Sequence, residues 1–299
     1  MKLFIILLIF FTSMVWSIGC DEGDCKNGIG TYTYSNGVYV GEFKFGDRNG
    51  QGTYKFYNGD VLEGGWRNNL AHGKGKYLWK DGSSYVGDFQ DGEIHGQGTR
   101  IYLNGNKFVG TYKNGERLYG TITFFDNGSF YKGGFKDEKK HGQGRYVWSN
   151  GDEYIGEYKS GKQEGQGKFF WKEGDSYIGE YKNGKRHGEG TYYFSNLDKY
   201  IGEHKNGKLH GKGTFYYANG SVRVGVWDNG SYFGSVEQWE QKIKIDRLAK
   251  EKYTKIYNAC LLDKSKKVDM KILSIRKAIQ NKCDEIAKNP SWLDEIRYK

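Results

Sequence analysis

The sequence predicts a mainly β fold: an elongated single-layer antiparallel meander of about nine 23-residue hairpin repeats, followed by a C-terminal α-helical cap. Three observations carry this. A glycine recurs every 23 residues, at Gly41, Gly64, Gly87, Gly110, Gly133, Gly156, Gly179, Gly202 and Gly225, and a fixed period over that length means one small unit copied and stacked. Turn-forming dipeptides occur twice per period, so each period holds two strands. After Gly234 glycine disappears and apolar residues take up spacings of three and four, the period of a helix.

The N-terminus stands apart from the repeats. Lys2 precedes an apolar run from Leu3 to Phe11, and Ser17 and Gly19 sit three and one positions before Cys20. Residues 1–19 therefore read as a cleaved secretory signal. The alternative is a retained membrane helix, but Leu3 to Ile18 falls short of the roughly 20 residues needed to span. Ile18-Gly19-Cys20 resembles the end of a bacterial lipobox, with Ser17 where leucine is usual. Lipidation of Cys20 and simple secretion both stay open, and both put the protein in the cell envelope or outside the cell rather than in the cytoplasm. Residues 20–27 read as a short linker, in which Cys25 has no evident partner if Cys20 is lipidated.

The ribbon covers residues 28–235. Two residues before each key glycine stand Tyr39, Leu62, Tyr85, Phe108, Tyr131, Tyr154, Tyr177, Tyr200 and Arg223; two after it stand Phe43, Trp66, Phe89, Tyr112, Phe135, Tyr158, Tyr181, His204 and Trp227. Spacing of two puts these side chains on one face of a strand, with the glycine between them. The glycine leaves room for a ring to lie across the backbone. Asn58-Gly59, Asp81-Gly82, Asn104-Gly105, Asn127-Gly128, Asn150-Gly151 and Asn219-Gly220 precede the key glycines, and a second set includes Asp91-Gly92, Asn114-Gly115 and Asn183-Gly184. Both sets read as two-residue hairpin turns with positive φ. A Gly-x-Gly follows, as in Gly188/Gly190, and then a wholly aromatic column: Phe56, Trp79, Tyr102, Phe125, Trp148, Trp171, Phe194 and Tyr217.

The assembled unit resembles the MORN (membrane occupation and recognition nexus) repeat. Tyr177-Ile178-Gly179-Glu180-Tyr181, followed by Asn183-Gly184 and His187-Gly188-Glu189-Gly190, carries the pattern, and the resemblance spans about residues 28–235. It implies an assembly platform, and the family's name implies a membrane role. The pattern lapses at Tyr119-Gly120-Thr121, where a local bend or bulge is expected, and at Asn196-Leu197, where glycine is usual. With 46 glycines, one proline (Pro290) and 17% aromatic residues, the chain fits an uninterrupted sheet held by nearest-neighbour stacking of rings.

Residues 236–299 form a basic tail with sixteen Lys and Arg against ten Asp and Glu, in a chain of net charge +10. Trp239, Ile243, Leu248, Tyr253, Ile256 and Cys260 mark one amphipathic helix, and Val268, Ile272, Ile275, Ile279, Cys283 and Ile286 a second. Cys260 and Cys283 fall on neighbouring helices, so they read either as a disulfide in an oxidising compartment or as two buried thiols. The apolar face is expected to cover the last repeat or fold back along the aromatic face. Lys264, Lys266 and Lys267 mark a basic surface for anionic lipid or another acidic partner.

Catalytic motifs are lacking. His72, His95, His141, His187 and His210 share one column, but neighbours about 10 Å apart do not share one metal ion. The column of Glu42, Glu157, Glu180 and Glu203 suggests paired-carboxylate chemistry only weakly. The expectation is a binding protein, not an enzyme, with no cofactor, no metal and no nucleic-acid partner. The first reading is a scaffold that takes a helix or peptide on Trp79, Tyr102, Trp148, Trp171 and Tyr217. The second is membrane association through a Cys20 lipid or the basic tail. A carbohydrate-binding module ranks lower. Exposed ribbon ends permit self-association.

Overall fold

The computed structural model describes residues 18–264, with the backbone alone for Ile256 and residues 259–264. Twenty strands, numbered in chain order from β1 (Gly19–Gly23) to β20 (Ser231–Gly234), form one antiparallel sheet, and a helix α1 (Val236–Lys264) follows. Every strand pairs with its neighbour in sequence, from β1 with β2 (Ile29–Tyr34) to β19 (Val222–Asp228) with β20. The sheet is an open meander, as the repeat period requires.

A line of glycines crosses the sheet. Gly41 opposes Gly52, Gly52 opposes Gly64, Gly64 opposes Gly75, and the pairing continues to Gly213 opposite Gly225. Each 23-residue repeat contributes its key glycine and the second glycine of Gly-x-Gly. The buried tyrosine of the repeat lies across this line: a Cβ built at Gly52 would overlap the Tyr39 ring, and one at Gly190 the Tyr177 ring. Its hydroxyl then donates to a backbone carbonyl three residues on, as from Tyr39 to Glu42 at 3.1 Å and from Tyr154 to Glu157 at 3.1 Å.

A bulge interrupts each hairpin just beyond the key glycine, for example between Gly179 and Tyr181. Bulges bend and twist a strand. A single sheet buries rings fully only by bending over its own aromatic face, and nine bulges in register supply that bend. Tyr39, Tyr85, Tyr131, Tyr154, Tyr177 and Tyr200 are inaccessible to solvent. Each meets rings of its own and the next repeat edge to face: Tyr154 lies 5.3 Å from Tyr158 and 5.0 Å from Tyr181. The core is thus a zipper along the ribbon, in which every tooth bridges two repeats.

The two kinds of turn differ. After each key-glycine strand both turn residues take positive φ, as at Asp91 (50°) and Gly92 (89°), the type I′ pattern. The glycine amide there bonds back to the preceding repeat, as from Gly92 to the Ala71 carbonyl at 2.9 Å. The other turns are longer. Between β4 (Asp47–Phe56) and β5 (Val61–Arg67) only Gly59 has positive φ, and Asn58 Oδ1 accepts the Asp60 amide. The two-residue expectation for this set is corrected: an Asx-stabilised loop needs one left-handed residue, not two.

Residues 20–27, expected as a linker, contain most of β1, which pairs with β2 through a bulge. The fold there brings Cys20 and Cys25 to a Cα separation of 6.0 Å, and they form a disulfide, within the normal span of such bonds. Cys25 thus has a partner, and in this arrangement the sulfur that a lipid would occupy is the one bonded to it.

The helix α1 packs against β19 and β20 at the ribbon end, with Trp239 edge-on to Phe233 at 5.0 Å. Ser235 caps it, accepting the Gln238 amide on Oγ. Beyond this foot Ile243, Ile245 and Leu248 are exposed, so the described part of the helix runs off the ribbon rather than back along its aromatic face. No described helix is long and apolar enough to cross a membrane. The signal segment through residue 17, the second amphipathic helix, Cys283, Lys266 and Lys267 lie outside the described residues. Cys260 and Lys264 lie in α1, where only the backbone is described.

Candidate functional site

The third aromatic column forms a part-exposed row beside the buried zipper. Trp79, Tyr102, Trp148, Trp171 and Tyr217, the expected partner-binding residues, are all half-buried. They do not stand alone. A second column two residues earlier, comprising Tyr54, Tyr77, Tyr146, Phe169, Tyr192 and Phe215, interleaves with them. Tyr146, Trp148, Phe169, Trp171, Tyr192, Phe194, Phe215 and Tyr217 form one run with successive centroids 4.4–5.4 Å apart. The signal was present in the sequence as a second ring at i−2, on the same strand face. Toward the N-terminus a shorter run joins Tyr32, Tyr34, Tyr54, Phe56, Tyr77 and Trp79.

Phe125 is not in the row. It is 77% exposed, and Phe124 takes its place, 6.1 Å from Tyr146. The cause is a one-residue deletion in β10 (Glu116–Thr123), where Gly120 follows its partner Gly110 by ten residues; elsewhere the interval is eleven, as between Gly133 and Gly144. The following turn is one residue longer, bonding Phe124 to Ser129, where the equivalent bond elsewhere joins Trp79 to Ser83. The 23-residue period survives because the two changes cancel. The expected irregularity at Gly120 is thus a shortened strand with a compensating turn.

Cations stand over the rings. The Arg48 guanidinium lies 4.6–5.9 Å from the centroids of Tyr34, Tyr39, Tyr54 and Trp66. Lys140 lies over Tyr131, Tyr146 and Tyr158, and desolvation holds its ammonium below the usual lysine pKa. Arg186 lies over Trp171, Tyr177 and Tyr192. These cation–π contacts make the aromatic face electropositive. On the turn side carboxylates tie repeats together: Asp175 Oδ2 accepts the Tyr192 hydroxyl at 2.5 Å and Oδ1 the Ser195 amide at 2.8 Å. That pairing lowers the Asp175 pKa.

The recurring glutamates have a structural task. Glu42 accepts the Gln51 amide at 2.7 Å, Glu157 the Gln166 amide at 3.1 Å and Glu203 the Lys212 amide at 3.0 Å. Each closes over the first glycine of Gly-x-Gly inside the bulge, and Asp88 does the same over Gly96. Gly188 shows why glycine is needed: its φ is 58° and Glu180 fills the space a Cβ would take. The histidine column serves the adjoining turns, with His95 Nδ1 accepting the Asn114 amide at 3.5 Å and His72 beside Asp91 at 3.6 Å. Among the described residues no group of histidines, cysteines and carboxylates has the geometry of a metal site.

These features define an open β-ribbon repeat protein whose rings both stack and face outward. The chain belongs to the MORN-repeat family. The family model, described as MORN repeat, matches residues 26–38, 39–61, 63–84, 85–107, 131–153, 154–176, 177–199 and 200–222. The unmatched stretch between 107 and 131 holds the shortened β10. No protein of curated function matches the chain. Among solved structures, the TCP10 domain of Danio rerio CPAP in complex with a STIL peptide is similar at 12% identity and a TM-score of 0.37, over 60% of this chain and 80% of that one. The SAS-4 TCP domain of Drosophila melanogaster, in complex with a proline-rich motif of Ana2, is similar at 6% identity and a TM-score of 0.34, over 59% and 90%.

Proposed function

We propose that the protein is a non-catalytic scaffold acting outside the cytoplasm, which holds an extended peptide or a helix of a partner protein along its half-exposed aromatic row. The observation that carries this is the ring run from Tyr146 to Tyr217, continuous over four repeats with part of each ring open to solvent. Stacking accounts for the buried zipper beneath. It does not require a second, more exposed ladder beside it. Two strands span about 10 Å, so an extended peptide sets about three residues per repeat, and aromatic surfaces of this kind bind at small entropic cost. The Cys20–Cys25 disulfide supports an oxidising compartment, and the signal-like N-terminus supports export.

Selection of 16-residue peptides from a displayed library against the intact mature chain tests the scaffold. Trp148→Ala and Trp171→Ala are expected to weaken a selected peptide at least tenfold while the far-UV spectrum is kept. Absence of any enriched peptide, or unchanged affinity in both variants, overturns the reading. Attachment to membranes is a separate proposal, through the basic tail or through a lipid on Cys20 in place of its bond to Cys25. Vesicle binding through lysines weakens as salt rises, whereas an intact mass carrying acyl chains on Cys20 would identify the lipid anchor.

A further inference from the structure

The aromatic ladder has one gap, and it holds an arginine. At the position filled by Tyr54, Tyr77, Tyr146, Phe169, Tyr192 and Phe215 in other repeats, this repeat carries Arg100, opposite Tyr85, and the next carries Ile122, opposite Phe108. The Arg100 guanidinium takes the place of a ring, 4.5 Å from the Trp79 centroid and 4.9 Å from Tyr102. Losing two rings opens a hollow of about 520 Å³, lined by Ser83, Arg100, Tyr102, Asn106, Arg117 and Ile122 among others.

Neither carboxylate near this hollow, Asp81 or Glu138, pairs directly with Arg100. Arg117 is occupied, its Nε donating to Glu138 at 2.7 Å. Arg100 has no ion pair among the described residues, and its buried Nε has no hydrogen-bond partner. Asp81 on the rim accepts the Ser83 amide and hydroxyl on Oδ1, at 2.8 and 2.6 Å, and acts on Arg100 only through space. Tyr112, buried alongside within electrostatic reach of Arg100 and Arg117, also has no partner for its hydroxyl. A stacked guanidinium is weakly hydrated and already oriented, so a carboxylate meeting it gains charge-assisted hydrogen bonds at little ordering cost.

We infer that this hollow is a carboxylate subsite: an Asp or Glu side chain of the bound peptide sits against Arg100 and fixes the peptide's register on the ring ladder. The subsite rests on the scaffold reading above and supplies what that reading lacks, since a uniform ladder of rings binds in any of several registers. Arg100 lies two repeats from Trp148, about 20 Å or six extended residues. The expected ligand is therefore a peptide with an acidic residue about six positions from an aromatic or proline residue that stacks on Trp148.

The test uses the same displayed library and the full chain. Selected peptides are expected to share an Asp or Glu at one position. Arg100→Tyr places here the ring found at Tyr54, Tyr77, Tyr146 and Tyr192 in other repeats, so the fold is kept. It is expected to cost such a peptide at least tenfold in affinity, and its Glu→Gln version less than twofold. Selected peptides with no shared acid, or equal losses for the Glu and Gln peptides, overturn the subsite. Sensitivity to Trp148→Ala alongside insensitivity to Arg100→Tyr leaves the scaffold standing and removes the subsite alone, whereas no enrichment at all removes both.

Discussion

The ring of Tyr177 lies where a Cβ on Gly190 would be, and its hydroxyl donates to the Glu180 carbonyl at 3.2 Å. One tyrosine thereby closes its own bulge and covers the glycine line of the neighbouring strand. Gly190→Ala is expected to push the buried ring off this seat and lower stability by about 2–3 kcal/mol. Tyr177→Phe keeps the ring and loses only the hydrogen bond, about 1 kcal/mol. Repeat four already carries Phe at this position, as Phe108 over Gly120. Urea unfolding followed by tyrosine fluorescence ranks the two. Equal losses would mean that the hydroxyl, not the glycine, sets the fit.

His204 occupies a column otherwise held by Phe, Trp and Tyr. It is buried, with Nδ1 3.0 Å from the Gly202 carbonyl and Nε2 without a partner. Desolvation, with a smaller contribution from Arg186, pulls its pKa down to about 4. The unfolded chain takes up a proton near pH 6.5 and the folded chain does not, so the stability due to neutral His204 is complete above pH 6.5. It is lost as pH falls toward 4, by on the order of 3 kcal/mol. His204→Tyr is expected to flatten the stability profile across that window. A profile unchanged by the substitution would show that the ring is hydrated or already protonated in the fold.

A second acid-sensitive set lies at the repeat junctions. Asp60 is held below its usual pKa first by the Lys80 amide and then by the Tyr77 hydroxyl, and Asp175 first by the Tyr192 hydroxyl. Depressed carboxylates stabilise the fold above their unfolded pKa, near 3.9, and the contribution disappears as pH falls through the lower folded values. Below about pH 4 the turn-side latches are therefore expected to open. Asp175→Asn should make the acid limb of the unfolding midpoint shallower, and an unaltered limb would assign acid sensitivity elsewhere.

Phe124 and Phe125 show how far the sequence could be read. The 23-residue period, the two strands per repeat and the aromatic face follow from spacing alone, because a meander turns sequence period directly into position. Strict period-counting nevertheless put Phe125 in the row, since a deletion in β10 and an insertion in the next turn cancel in the count. Phe124→Ala is expected to cost about 1–2 kcal/mol and Phe125→Ala less than about 0.5 kcal/mol; the reverse order would restore the simple count. The Tyr146 column was legible as a second ring at i−2; the glutamate bulge locks and the Arg100 hollow were harder to see. They depend on which residues oppose one another across the sheet, and a bulge shifts register without changing the period. Cys20–Cys25 escaped because residues 20–27 show no repeat pattern, although most of β1 lies there.

The disulfide should act locally. Cys20 and Cys25 enclose a short loop beside the edge hairpin of β1 and β2, and closing a loop of about six residues contributes about 2 kcal/mol in the chain-entropy account. In a ribbon each repeat touches only its neighbours, so the loss does not spread. Cys20→Ser with Cys25→Ser is expected to speed amide exchange in residues 19–34 and to leave exchange around Tyr154 and Tyr177 unchanged. Reduction of the native chain should reproduce the pattern, and alkylation before reduction should leave Cys20 and Cys25 unlabelled. Labelling of Cys20 in the unreduced chain would return it to the free thiols, and faster exchange across all repeats would mean that the ribbon folds from its N-terminal edge as one unit.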